Sequence, residues 1–310
     1  MNKKLNSLLI SLITLFFLVQ FLIKSELLTN TFYQSISLWF YNLLPSIFFF
    51  FTITDILNNY NFPYFIEKIF GKIIHKIYKL PNISSYIIFI SMISGFPSNS
   101  KLIKEMLDNK KVNSYEATRL LTMTHFSNPL FIIYTIGINF FHSKKIGIII
   151  MIVHFLTNFI VGFIFRNIFN VSETTKKSTI SNQLPFMEML KKSINNTISI
   201  SLNVLGIIIF FSIILAVINN YLNLNSFSNA ILNGLLEITN GLKLLSNLSI
   251  DIIKKATIAT FFISFGGFSI HMQIFSILNK YNINYIIYLI SRIIHASIAS
   301  ILVYIVLIYC

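Results

Sequence analysis

Two glycine-centred motifs carry the residue types that could do chemistry in this chain. The first is Gly95-Phe96-Pro97-Ser98-Asn99-Ser100-Lys101; the second is Gly266-Gly267-Phe268-Ser269-Ile270-His271-Met272-Gln273. In the first, Pro97 suits the opening position of a helix, where its missing N–H is not needed. Ser98, Asn99 and Ser100 add hydroxyl and amide groups beside the exposed backbone donors of such a helix start. In a low-dielectric setting that combination attracts an anion. In the second motif, Gly267 gives a flexible backbone, and Ser269, His271 and Gln273 offer polar side chains. His271 pairs with an anion when protonated and donates one hydrogen bond when neutral. The competing reading makes both motifs helix kinks that let neighbours pack, with His271 holding a backbone carbonyl.

Two further clusters extend the candidate site. In Thr124-His125-Phe126-Ser127-Asn128-Pro129, the proline cannot donate to the preceding turn. The freed carbonyls near His125 need partners, which places His125, Ser127 and Asn128 at a broken helix. The alternative is a plain proline kink. Arg292 and His295 stand three apart, on one helix face. An arginine inside a membrane span is expensive and needs a partner or a wet cavity, so Arg292 is the leading candidate to grip a carboxylate; snorkelling or pairing with Glu237 are the alternatives. Phe48 to Phe51 reads as a packing or lipid-facing cluster. Metalloprotease, phosphate-loop and cysteine-metal spacings are all missing, so no enzymatic activity, metal or cofactor is expected. His75, His142 and His154 look scattered and ordinary.

The elements that must position these residues follow from composition. The 310 residues are 55% hydrophobic and only 11% charged, with net charge +14, and the mean hydropathy is +0.74. Soluble domains average about 25% charged residues, so a lipid environment is implied. The fold class expected is an all-α polytopic membrane protein. Lysines and arginines lie in segments between apolar runs rather than on one face, which argues against nucleic acid as a partner. The single cysteine, Cys310, excludes an intrachain disulfide. Crossings are expected at an uncleaved first span over 5–23 and near 35–57, 120–141, 146–166, 196–218 and 285–309. The segments 83–107 and 252–278 are too short on each side of their glycines to cross, and read as two re-entrant helical hairpins.

An internal duplication is also legible. Asn42-Leu43-Leu44-Pro45 matches Asn203-Val204-Leu205-Gly206, Glu67 with Gly71 matches Glu237 with Gly241, and Gly95-Phe96 matches Gly267-Phe268. Asn113 then matches Asn284, and His125 with Ser127 matches His295 with Ser297, all in the same order. Three crossings and a hairpin separate equivalent points, so the copies would be inverted relative to each other, as in secondary transporters. The domain reading is an N-terminal transmembrane anchor at 1–34, a first gate-like repeat at 35–166, a cytoplasmic linker at 167–195 and a second gate-like repeat at 196–310. With both termini cytoplasmic, sixteen basic residues fall inside and seven outside, Arg292 lying within a span, which accounts for all 24.

These motifs, together with Thr118-Arg119-Leu120-Leu121, Ser127-Asn128-Pro129-Leu130-Phe131 and Leu236-Glu237-Ile238-Thr239-Asn240-Gly241, resemble the sporulation integral membrane protein YlbJ family, whose members carry nucleoside-recognition gate domains. The resemblance spans essentially 35–309; Asn99 stands where the family pattern usually has Gly or Ala. It implies a transporter of the outer forespore membrane that passes dipicolinate from mother cell toward the spore by alternating access. Residues 98–100 and Arg292 would then hold carboxylates, while Phe96 and Phe268 bracket the ring. The expected partners are a small anionic substrate and the lipid bilayer, with homo-oligomerisation left open. A nucleoside or nucleobase carrier is the second reading, ranked lower because few acidic groups lie within the membrane; a structural membrane protein of sporulation is the third.

Overall fold

The computed structural model describes residues 3–169 and 183–309, and every regular element among them is helical. Six helical stretches are long and apolar enough to cross a membrane: Lys4–Ile23, Ser25–Asn59, Lys144–Asn167, Phe186–Tyr221, Ile252–Ile277 and Tyr285–Tyr309. Residues 170–182 of the linker expected at 167–195 lie outside the described residues, as does Cys310.

The chain opens with α1 (Lys3–Ile23), exposed on nearly all sides as a lipid-facing helix would be, and tied to the rest by Tyr221 donating to Gln20 at 3.0 Å. A break at Lys24 leads into α2 (Ser25–Asn59). At about 1.5 Å per residue, α2 is far longer than a hydrocarbon core of about 30 Å. It widens into a π-helical turn at Trp39–Leu43, just before Pro45. A proline leaves a carbonyl of the preceding turn without its donor, and a wider turn is a common accommodation. Then come α3 (Phe62–Tyr78), α4 (Ser84–Ser94), α5 (Ser98–Asp108) and α6 (Ser114–Met123). After an unwound stretch follow α7 (Phe131–Phe140), which is π-helical throughout, and α8 (Lys144–Ile164).

The crossing expected over 120–141 is therefore not one helix. Residues 124–128 are unwound, because Pro129 withholds a donor and the Asn128 side chain caps the next element, accepting from Leu130 N–H at 2.8 Å.

The remainder consists of α9 (Phe186–Tyr221), α10 (Ser226–Leu236), α11 (Ile238–Ser246), α12 (Ile252–Phe265), α13 (Gly267–Ile277) and α14 (Tyr285–Tyr309). The order of long helix, connecting helix, broken pair and further helix thus occurs twice. Residues at equivalent places also make equivalent bonds. Asn113 caps α6 by accepting from Tyr115 and Glu116 N–H, and Asn284 accepts from Ile287 N–H at the start of α14.

Long helices α2 and α9 lie side by side and run antiparallel. Asp55 accepts from Asn196 and Thr52 donates to Thr197 near one end, and Trp39, Ile47 and Phe51 pack with Val204 and Ile208 further along. Helices α6, α8, α12 and α14 pack together as the scaffold. The arms of the second broken pair part company: α12 lies along α14, and α13 lies against α9, α10 and α5.

Candidate functional site

Four helix interruptions converge near the middle of the molecule. Gly95, at φ +75°, separates α4 from α5, and residues 124–128 separate α6 from α7. Glu237 divides α10 from α11, and Gly266, at φ +91°, divides α12 from α13. Both glycines sit in backbone that a side chain would strain. They also allow close approach: a Cβ on Gly95 would lie 2.5 Å from the Asn128 nitrogen, and one on Gly266 would lie 2.5 Å from His125 Nε2. Phe96 N–H donates to the Phe126 carbonyl at 2.9 Å, so the first tip is spliced to the unwound stretch.

Around these breaks opens a cleft of about 510 Å³ including its mouth. Its wall is formed by Ser46 and Ile47 of α2, Ser94, Phe96 and Pro97 of the first tip, Ser127, Asn128 and Phe131, Val204 and Ile208 of α9, Glu237 and Thr239, and Ile270 and Gln273 of α13. Both halves of the chain contribute. The lining is largely apolar with a few placed polar groups, the usual character of a small-molecule site. The Ser127 hydroxyl is buried and has no hydrogen-bond partner among the described residues. Glu237 is 1% exposed and accepts from Thr239 and Asn240 N–H at 3.2 and 2.8 Å, capping α11 with its own carboxylate.

Of the residues singled out from sequence, Phe96, Ser127, Asn128 and Gln273 line this cleft; the others do not. Ser98 and Ser100 donate to the Gly95 and Pro97 carbonyls at 2.6 Å, and Asn99 reaches Thr124 at 3.5 Å. The hydroxyls expected to face an anion are thus occupied by the turn they sit on. Phe268 is 39% exposed and does not face Phe96 across the cleft; Phe131 occupies the wall instead. Gly95, Gly267 and Ser269 shape the tips from behind.

The remaining candidates form a second cluster outside the cleft wall. His125 stacks on Phe96 with centroids 4.9 Å apart, and its Nδ1 is 3.0 Å from the Tyr288 hydroxyl, while Nε2 has no partner. His271 donates from Nε2 to the Phe265 carbonyl at 3.0 Å, the backbone role weighed for it from sequence. Arg292 is fully buried, and every acceptor around it is neutral. It donates from Nε to Ser291 at 3.3 Å, from Nη1 to Asn158 at 3.3 Å and His295 Nδ1 at 3.0 Å, and from Nη2 to the Thr122 carbonyl. Glu237 is not among its hydrogen-bond partners, and Arg292 lines neither this cleft nor the two others beside α2 and α9. Arg292 ties α14 to α8 and to the last turn of α6, just before the unwound stretch.

His154, read from sequence as ordinary, is at the centre of this cluster. Its Nε2 accepts from Ser127 N–H at 3.0 Å and its Nδ1 faces Ser264 at 2.9 Å, while its carbonyl faces His295 Nε2 at 3.0 Å. An accepting Nε2 makes His154 a neutral imidazole with its proton on Nδ1; His295, accepting on Nδ1, is neutral with its proton on Nε2. Asn158 completes the brace by donating to the His125 carbonyl at 2.9 Å. His154 and Asn158 are four apart in an otherwise apolar span, one face of one helix, which was the signal available for both.

Across its length the chain is 26% identical to the "Sporulation integral membrane protein YlbJ" of Bacillus subtilis (strain 168), over an alignment of 337 positions covering 97% of this chain and 83% of that protein. The chain is similar to YlbJ over nearly its whole length. No family model matches it, and no solved structure is similar to it. The YlbJ alignment takes in both halves, so all four interruptions and both clusters fall inside the shared length. The chain is an integral, multi-pass membrane protein, as its six apolar helices and that relative agree.

Two more clefts adjoin the same pair of long helices. One is polar, of about 1230 Å³ with its mouth, and is lined by Asp55, Asn58, Glu105, Lys111, Lys192 and Asn196 among others. The second, of about 760 Å³, is lined by Thr31, Gln34, Ser35, Ser212, Asn219, Asn229, Asn233, Asn240 and Lys243 among others. In this last cleft Asn240 donates to Ser212 at 2.7 Å and Asn233 donates to Asn229.

Proposed function

We propose that this chain is a membrane carrier acting in sporulation, moving the small aromatic dicarboxylate dipicolinate by alternating access. The observation that carries the reading is a central cleft built at four helix interruptions and walled by both halves, the place where carriers with inverted repeats bind. In this reading the two halves are inverted copies, and the antiparallel course of α2 and α9 supports that relation. The broken pairs α4–α5 and α12–α13 are re-entrant, and both termini face the cytoplasm of the mother cell, with the protein in the outer forespore membrane. The sporulation setting rests on the YlbJ likeness.

The cleft suits a flat ring with oxygen atoms at two positions. Phe131 and the face of Phe96 away from His125 flank the ring, and Ser127 and Gln273 offer donors; the Ser46 hydroxyl already donates to the Leu43 carbonyl at 2.9 Å, and the Thr239 side chain bonds Glu237. Asn128 is less free, because its amide already donates to the Ile93 and Ser94 carbonyls. Uptake of labelled dipicolinate into proteoliposomes is the test, with nucleosides as competitors. Saturable uptake that nucleosides do not block supports the proposal; its absence, with nucleosides transported instead, overturns it. The nucleoside reading gains from one observation: Glu237 places a carboxylate in the cleft wall, where it could bond a ribose hydroxyl.

A further inference from the structure

The three clefts succeed one another along the seam between α2 and α9. On α2 their lining moves from Thr31–Leu38 through Leu43–Ile47 to Asp55–Asn59; on α9 it runs the other way, from 212–219 through 204–208 to 189–196. Each step is roughly 10 to 14 residues, or about 15 to 20 Å of helix. Pro97, just before α5, lines the central cleft and Glu105 of α5 the polar one, and Lys101 stands midway at four-residue spacing, on the same helix face.

At that boundary Lys101 forms an ion pair with Asp55, whose other oxygen accepts from Asn196 at 2.9 Å. One turn deeper, Thr52 bonds Thr197 at 3.2 Å. The cluster joins α5, α2 and α9, elements of both halves, and closes the seam between polar cleft and central cleft. The Asp55 and Lys101 side chains are only 9% and 21% exposed. The central cleft holds no cation in its wall and Arg292 is engaged elsewhere, so Lys101, beyond Lys111 and Lys192 of the polar cleft, is the last positive charge an anion would meet before the central cleft.

We propose that the Asp55–Lys101 pair is the seal of a permeation path along the α2–α9 seam, and that Lys101 admits an anionic substrate by exchanging Asp55 for the substrate's carboxylate. This rests on the transport reading for the substrate's charge, and on geometry alone for the seal. The lysine changes partner without being left unpaired in a low-dielectric setting, where an uncompensated charge is costly. Asp55 is left with Asn196 while the substrate passes.

The test uses the full chain in proteoliposomes, in a Cys310→Ser background with Val204→Cys as a reporter in the cleft wall. A membrane-impermeant maleimide reads access, and labelled dipicolinate reads transport. Asp55→Asn is expected to speed labelling of the reporter while keeping uptake within about threefold of wild type, whereas Lys101→Gln should lower uptake by at least about tenfold and Lys101→Arg restore most of it. Competition by the neutral diamide of the same ring should be unchanged in Lys101→Gln. Equal damage from Asp55→Asn and Lys101→Gln would mean the pair only braces the fold, and overturns the anion role. Unchanged labelling in Asp55→Asn overturns the seal. No dipicolinate uptake by the wild type, with labelling still raised by Asp55→Asn, overturns the substrate reading and the lysine's anion role together and leaves the seal standing.

Discussion

Replacing Arg292 with glutamine separates two roles that a buried arginine can play, bracing the fold and gripping a substrate. Its guanidinium makes four hydrogen bonds, to Ser291, Asn158, His295 and the Thr122 carbonyl, and none into the central cleft. Side-chain hydrogen bonds within membrane proteins average about 0.6 kcal/mol and reach about 1.7 kcal/mol, so losing four destabilises the fold by roughly 2 to 7 kcal/mol. Lysine concentrates its donors at one point and cannot reproduce the planar fork, so Arg292→Lys should fall between wild type and glutamine. Thermal unfolding of the detergent-purified protein, followed by its monodisperse fraction on size exclusion, measures the loss. Dipicolinate affinity of the surviving folded fraction measures the alternative. An unfolding midpoint unchanged in Arg292→Gln, together with a collapse in affinity, would refute the brace and return Arg292 to the substrate.

Gly95→Ala should abolish a folded product or sharply reduce it, because the alanine must adopt φ +75°, ψ −175°, an essentially glycine-only region costing about 1 to 3 kcal/mol, while its Cβ meets the Asn128 nitrogen; expression and monodispersity in detergent check this. Glu237→Ala removes the cap of α11 and should destabilise by about 0.5 to 2 kcal/mol, with Glu237→Gln milder, as read by the same unfolding assay. Gln273→Ala and Ser127→Ala should each raise the half-saturation of uptake severalfold with little change in unfolding, since Gln273 borders the cleft and the Ser127 hydroxyl has no partner to lose; a shift in stability of more than about 2 kcal/mol without a change in uptake would contradict their placement. His154→Leu should cost both stability and uptake, because it leaves the Ser127 N–H unpaired at the cleft wall.

The helical, membrane-embedded class and the places where helices break were readable because glycine and proline are scarce in this chain and act through the backbone. Gly95, Pro97, Pro129 and Gly266 each mark an interruption that the structure contains. Side-chain direction was not readable in the same way. Ser98 and Ser100 looked like ligands, yet in a short helix start a hydroxyl reaches its own preceding carbonyl more easily than a distant group. Arg292 looked unpaired because its partners, Thr122 and Asn158, are distant in sequence and carry no charge. Asp55 and Lys101, 46 residues apart, form a pair that only the packing of α5 on the seam reveals.

The seam is bridged by different chemistry toward its two ends. At one end the closure is ionic, and its strength falls as mobile ions gain access and screen it. At the other, one neutral bond, Asn240 donating to Ser212, links α11 to α9, and ionic strength hardly touches it. In the proposed permeation path, the threshold at Asp55 would respond to ionic composition and the one at Asn240 and Ser212 would not.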